Sequence, residues 1–188
     1  MEARLVIAYH DTGYPEAYRI LSRLVKASNR VLGVRVAAIP LTMLTSTLRV
    51  NDLIYALLLT SGKHYQEVRR AAKLRGAVVI GRIPSRLTLT YFIVKAVKAI
   101  EALDCTPLYC YSRAGGEVHA LAARASELVG VNLYPWPGRG GGRCIAVSAL
   151  PLEPPRGCRL VGGGVVSDMF DQLLDSLRVL VDYAVGSS

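Results

Sequence analysis

The chain has 188 residues, of which 52% are hydrophobic, and its 23 Lys and Arg exceed its 14 Asp and Glu to give a net charge of +9. This composition describes a folded protein with a large core. The apolar stretches stay shorter than the roughly 20 residues that cross a bilayer, and the start lacks the cleavage pattern of a secretory signal. We therefore expect a cytoplasmic protein rather than a membrane-spanning or secreted one.

Apolar runs in the first half predict the strands of a buried parallel sheet, because both faces of such a sheet are covered by helices. The runs are Leu5–Tyr9, Val36–Pro40, Leu53–Leu59 and Gly76–Gly81. A helix is predicted after the first run, where apolar residues recur at spacings of three and four. Those residues are Ala17, Ile20, Leu21 and Leu24. The alternation of strands and helices predicts an α/β fold.

The second half repeats this pattern in outline. Ala8–Gly13 aligns with Cys110–Gly115 at an offset of 102 residues, and Gly76–Gly81 aligns with 157–162. A further apolar run, Ile145–Leu150, corresponds to the third strand of the first half. We therefore predict two pseudo-symmetric lobes, residues 1–104 and 105–188, each with a parallel sheet flanked by helices.

Two histidines lie where predicted strands of the first half end. His10 follows the first strand and His64 follows the third, whereas Ser112 stands at the position of the second half that corresponds to His10. The carboxyl edge of a parallel sheet is where ligands bind, and imidazole is a common ligand of divalent metals. The pattern predicts a metal site, with Glu67 one helical turn after His64 as a further ligand or as a hydrogen-bond acceptor for the imidazole.

The excess positive charge is confined to the half that holds these histidines. Residues 1–104 contain 16 Lys and Arg against 7 Asp and Glu, while residues 105–188 contain 7 of each kind. Such a field attracts an anionic partner, and we predict contacts from Lys63, Arg82 and Arg86, which follow strand ends. The alternative is that these cations only decorate solvated helix faces.

Other polar features have simpler explanations. Asp11 is expected in a turn or helix cap, and His119 is expected to be exposed and without function. The four cysteines lack the spacing of a zinc or iron-sulfur site. The tract Trp136–Arg143 has the composition of a single-stranded nucleic-acid binder but is more typical of a mobile loop. The glycines at 162–164 lack the spacing of a phosphate-binding loop and predict a tight turn.

The pairing of His10 with the segment Gly62-Lys63-His64-x-x-Glu67 resembles the sirohydrochlorin cobaltochelatases of the CbiX type. The repeated second half is similar to the two-lobed class II chelatases. The resemblance implies a chelatase-like fold and a lyase of the kind used in cobalamin biosynthesis. It implies insertion of a divalent metal, cobalt or iron, into an anionic tetrapyrrole without a nucleotide, with His10 and His64 as catalytic residues.

Two alternatives stay open at this point. The second hypothesis is a protein with the same scaffold that binds a metal or a tetrapyrrole without catalysis. A basic module that binds nucleic acid is the third hypothesis, and it alone predicts an affinity that falls steeply with salt. The sequence leaves the choice of metal and macrocycle open, and also the choice between a monomer and a homodimer.

Overall fold

The computed structural model describes residues 4–103, 108–111, 116–130, 133–135, 144–153, 158–159 and 163–186. Its strands are β1 (Arg4–Tyr9), β2 (Arg35–Pro40), β3 (Leu53–Leu57), β4 (Val78–Arg82), β5 (Leu108–Tyr111), β6 (Leu133–Pro135), β7 (Cys144–Ala146) and β8 (Cys158–Arg159). Its α-helices are α1 (Pro15–Val31), α2 (Leu44–Thr47), α3 (Lys63–Arg75), α4 (Ser85–Leu103), α5 (Gly116–Val129), α6 (Val165–Asp168) and α7 (Phe170–Gly186). A short 3₁₀ turn, Leu41–Met43, precedes α2.

The first four strands form an all-parallel sheet in the order β2-β1-β3-β4. Strand β1 pairs on both sides, with Tyr9 opposite Pro40 on β2 and opposite Leu57 on β3. The central strand β3 is buried along its whole length, which explains why its sequence is a continuous apolar run. The predicted α/β fold with a parallel sheet flanked by helices is confirmed.

Alternate residues of β1 supply two separate hydrophobic cores, because successive strand side chains point to opposite faces of the sheet. Leu5, Ile7 and Tyr9 belong to the larger core, whereas Val6 and Ala8 belong to the smaller one. The smaller core is covered by α2 and α3. The larger core is covered by α1 and α4 and also includes buried residues of α5, α6 and α7, so it is shared by both halves of the chain.

The remaining strands form a second parallel sheet in the order β6-β5-β7-β8. Its order is the same as that of the first sheet when the strands are numbered within each half. Between β7 and β8, the described residues 147–153 contain no helix. Ser112 and the tract Trp136–Arg143, singled out in the sequence, lie outside the described residues.

Two predicted strands end later than the observed ones, and the strand predicted from Gly76 begins only at Val78, because Gly76 adopts the left-handed conformation that ends α3. Strand β3 stops at Leu57, where the Leu58 amide donates to the Ala56 carbonyl and leaves the ladder. Strand β7 stops at Ala146, because the carbonyls of Ser148 and Ala149 accept hydrogen bonds from the first two amides of α6. Within the described part of the chain, no helix combines the length and the apolarity needed to span a membrane.

Candidate functional site

The topology of the first sheet brings the two histidines together. His10 directly follows β1, and His64 is the second residue of α3, which begins six residues after β3 ends. Because β1 and β3 are hydrogen-bonded neighbours in parallel register, the segments that follow them leave the same edge of the sheet. The linker between β3 and α3, residues 58–62, therefore carries His64 toward His10.

The centres of the two imidazole rings are 5.0 Å apart and the ring planes are inclined by 56°. An ion about 2 Å from one nitrogen of each ring, with a tetrahedral angle between the bonds, would place the ring centres about 5 Å apart. Both histidines are exposed, and the His64 side chain keeps 50% of its accessible surface. The pair thus has the spacing of two ligands to one ion and is accessible from solvent.

Glu67 orients the His64 imidazole. Its Oε2 lies 2.9 Å from His64 Nδ1, one helical turn along α3. This hydrogen bond holds the pKa of Glu67 below its ordinary value, and the positive charges of Lys63 and Arg70 act in the same direction. An ionised carboxylate only accepts hydrogen bonds, so Nδ1 is the donor and the Nε2 lone pair of neutral His64 is left for an ion.

The histidines stand at the mouth of a cleft of about 450 Å³. One side of the cleft is formed by the end of β3 and the linker to α3, and the other by the segment after β7. Its apolar lining residues are Leu57, Leu58, Leu59, Val147, Ala149, Leu150 and Leu152. The volume lies within the range of about 300–1,000 Å³ that is usual for small-molecule sites. The cleft therefore offers an apolar surface with two imidazoles at its edge.

The three predicted anion-binding cations have different surroundings. Lys63 is exposed and lines the cleft beside His64. Arg86 is exposed in the first turn of α4, and it is not one of the residues that line the cleft. Arg82 ends β4 with its guanidinium bonded to the Leu59 carbonyl and to Glu117, so the structure gives it a role in holding the linker.

Three further polar residues, Asp11, His119 and Glu117, can be compared with their predicted roles. Asp11 forms the expected turn, because its carboxylate accepts the Gly13 amide, and a hydrogen bond from Tyr18 lowers the pKa of Asp11. His119 was expected to be exposed but lies half-buried on α5, and it does not line the cleft. Glu117 was missed, since an acidic residue in the first turn of a helix ordinarily only offsets the helix dipole.

Among the described residues, no group of three or more His, Cys, Asp and Glu side chains is arranged to hold a metal ion. Comparison of the chain with protein-family models, with curated proteins and with solved structures finds no significant match.

Replacement of Glu67 with Ala should weaken binding of Co²⁺ by about tenfold, because the acceptor that fixes the His64 ring is lost. Absorption titration of the protein with CoCl₂ measures this affinity. Glu127→Ala is a matched control, since Glu127 is also an exposed helical carboxylate with a partner three residues away, Arg124. Equal affinities of the Glu67 variant and the wild-type protein would show that Glu67 does not act on the imidazole.

Proposed function

We propose that this protein inserts a divalent metal, cobalt or iron, into a sirohydrochlorin-like tetrapyrrole without nucleotide hydrolysis. The observation that carries the proposal is the pair His10 and His64, with ring centres 5.0 Å apart at the edge of an apolar cleft. A flat macrocycle needs an apolar wall and a metal source on one face. The cleft and the imidazole pair provide both features within one site.

Two imidazoles suit the transfer of an ion better than its permanent storage. Structural zinc sites are closed by four protein ligands, whereas a pair of histidines leaves coordination positions open to the incoming nitrogens of a macrocycle. The exposure of both rings also allows the ion to arrive from solvent. His10 and His64 are the residues to which we assign delivery of the metal.

The same imidazoles can accept the protons that insertion releases. When a divalent ion enters the ring, two pyrrole N–H bonds break and their protons leave. As each histidine gives up the ion, its nitrogen lone pair becomes free and can accept one of these protons. The ionised Glu67 carboxylate on Nδ1 would stabilise the His64 imidazolium that forms, and solvent would then remove the proton.

The charge of the first half supports an anionic substrate. Lys63 lines the cleft, and Arg86 is exposed at the start of α4, which follows the edge strand β4. Carboxylate substituents of a tetrapyrrole would meet Lys63 as the ring enters the cleft, while Arg86 would add to the positive field outside it. Arg82, by contrast, is bonded within the protein, so we assign it a smaller part in substrate binding than Lys63.

We also infer that the two sheets arose as a duplicated pair of lobes. Supporting this inference, both sheets are parallel and have the same strand order, and the first strand of each is followed by a helix. Histidine at the first strand end is present in one half and is replaced by Ser112 in the other. One lobe would then supply the metal ligands, while the other would complete the cleft.

The decisive experiment is an absorption titration of sirohydrochlorin with Co²⁺, with and without the protein and in the absence of nucleotide. We expect the protein to accelerate the spectral change that accompanies insertion. Binding of either substrate without acceleration would support a non-catalytic binding protein instead. If neither substrate binds, the proposal is wrong, and salt-dependent binding of single-stranded RNA would then favour the nucleic-acid alternative.

A further inference from the structure

The linker that carries His64 is held from the other half of the chain by one carboxylate. Glu117, in the first turn of α5, accepts the backbone N–H of Ser61 at 2.8 Å and the Ser61 hydroxyl at 3.1 Å, both at Oε2. Its Oε1 accepts Arg82 Nη2 at 2.6 Å. Glu117 therefore joins the linker after β3 to the last residue of β4.

Arg82 completes the same network. Its Nη1 donates to the Leu59 carbonyl at 2.9 Å and to the Ile83 carbonyl at 3.1 Å. The linker of residues 58–62 is thus fixed at Leu59 by Arg82 and at Ser61 by Glu117. Leu59 and Ser61, the two residues held in this way, lie on either side of Thr60. His64 is only three residues beyond Ser61, so these bonds are close to it in the chain.

Arg82 and Glu117 form a partly buried ion pair, whereas the hydrogen bonds to Ser61 are exposed. The side chains of Arg82 and Glu117 keep only 19% and 33% of their accessible surface. Burial alone would raise the pKa of Glu117, but the Ser61 hydrogen bonds and the Arg82 charge outweigh it, so the pKa lies below its ordinary value. Glu117 is therefore ionised at neutral pH and accepts charge-assisted hydrogen bonds, which are shorter and stronger than neutral ones.

The turn that follows His10 is also tied to the second half. The Thr12 hydroxyl donates to the Pro151 carbonyl at 3.0 Å, and Pro151 lies in the segment that lines the far side of the cleft. Each of the two histidine-bearing segments therefore has its own hydrogen bond to the second half. The spacing of the imidazoles depends on both segments keeping their positions.

We propose that Glu117 is a positioning residue, through which the second half of the chain fixes the His64 linker and so sets the spacing of the two imidazoles. This inference depends on the proposed function in one respect, namely that the histidines bind a metal. It gives the second half of the chain a role in metal binding, although both proposed ligands belong to the first half. A partner bonded directly to a metal ligand typically changes affinity by about 10–100-fold, and Glu117, which acts on His64 through Ser61, is expected to act near the lower limit of that range.

The test compares Glu117→Ala and Glu117→Gln with Glu127→Ala, a change on the same helix in an exposed pair with Arg124. Affinity for CoCl₂ is measured by absorption titration well below the melting temperature of every variant. Amide hydrogen exchange at Ser61 is measured on the metal-free proteins. We expect Glu117→Ala to weaken Co²⁺ binding by about tenfold or more and to speed Ser61 exchange, with no change for Glu127→Ala.

Glu117→Gln keeps an oxygen for the Ser61 amide but loses the charge toward Arg82, so an intermediate loss is expected. This variant also keeps the test valid if the alanine variant does not fold. Faster exchange at Ser61 with unchanged Co²⁺ affinity would overturn the positioning role while leaving the proposed function intact. A wild-type protein that binds neither Co²⁺ nor Fe²⁺ would overturn the proposed function, and with it the role of Glu117.

Discussion

Replacing either His10 or His64 with Ala should lower the rate of metal insertion about 100-fold or more, the usual range for loss of a group that transfers protons. Each variant should remain folded, because both side chains are exposed at the sheet edge and contribute nothing to the two cores. The double variant should be hardly slower than either single variant, since residues that act as one unit lose function non-additively. Absorption assays of cobalt insertion measure these rates.

His119→Ala is the matched control for this experiment. His119 is the third histidine of the chain and lies on α5 away from the cleft lining, so its replacement should leave the insertion rate unchanged. Single variants of His10 and His64 that insert cobalt at the wild-type rate would refute the mechanism. Additive losses in the double variant would instead indicate two independent binding groups.

The arrangement of the first sheet follows from local sequence patterns. The all-apolar run of β3 identifies a strand covered on both faces, and the alternation along β1 divides its side chains between two cores. Since parallel neighbours end at the same edge, the positions of His10 and His64 after these strands are enough to predict that both lie at one edge. Their ring separation, however, depends on how the linker 58–62 is held.

The sequence contains no local signal for the contacts that hold this linker. Glu117 is separated from Ser61 by 56 positions and from Arg82 by 35. Arg82 at the end of a strand is as compatible with substrate binding as with an internal ion pair. Only the packing of α5 against α4, which brings Glu117 to the end of β4, decides between these roles, and that packing is a property of the whole fold rather than of any segment.

At the opposite edge of the first sheet, a buried ion pair joins the starts of β1 and β3. Asp52 is 2% exposed, and its carboxylate accepts Arg4 Nε at 2.9 Å, Arg4 Nη2 at 2.5 Å and the Arg49 amide at 2.8 Å. Arg4 Nη2 also donates to the Thr47 carbonyl. Asp52 thus accepts three hydrogen bonds, two of them from the largely buried Arg4 guanidinium.

Asp52→Ala should lower the free energy of unfolding by about 3–5 kcal/mol, because it leaves the largely buried Arg4 guanidinium without its counter-charge. Chemical denaturation measures the loss, and Glu16→Ala, which removes an exposed pair with Arg19, should cost no more than about 1 kcal/mol. Replacing both members, Arg4→Met with Asp52→Leu, should restore most of the stability, since apolar residues of similar volume can substitute for a buried pair. A double variant no more stable than Asp52→Ala would show that Asp52 acts through the Arg49 amide instead.

The Arg4–Asp52 pair lies at the edge of the sheet away from His10 and His64. Folded Asp52→Ala protein should therefore bind Co²⁺ as the wild-type protein does. This result would separate loss of stability from loss of the site.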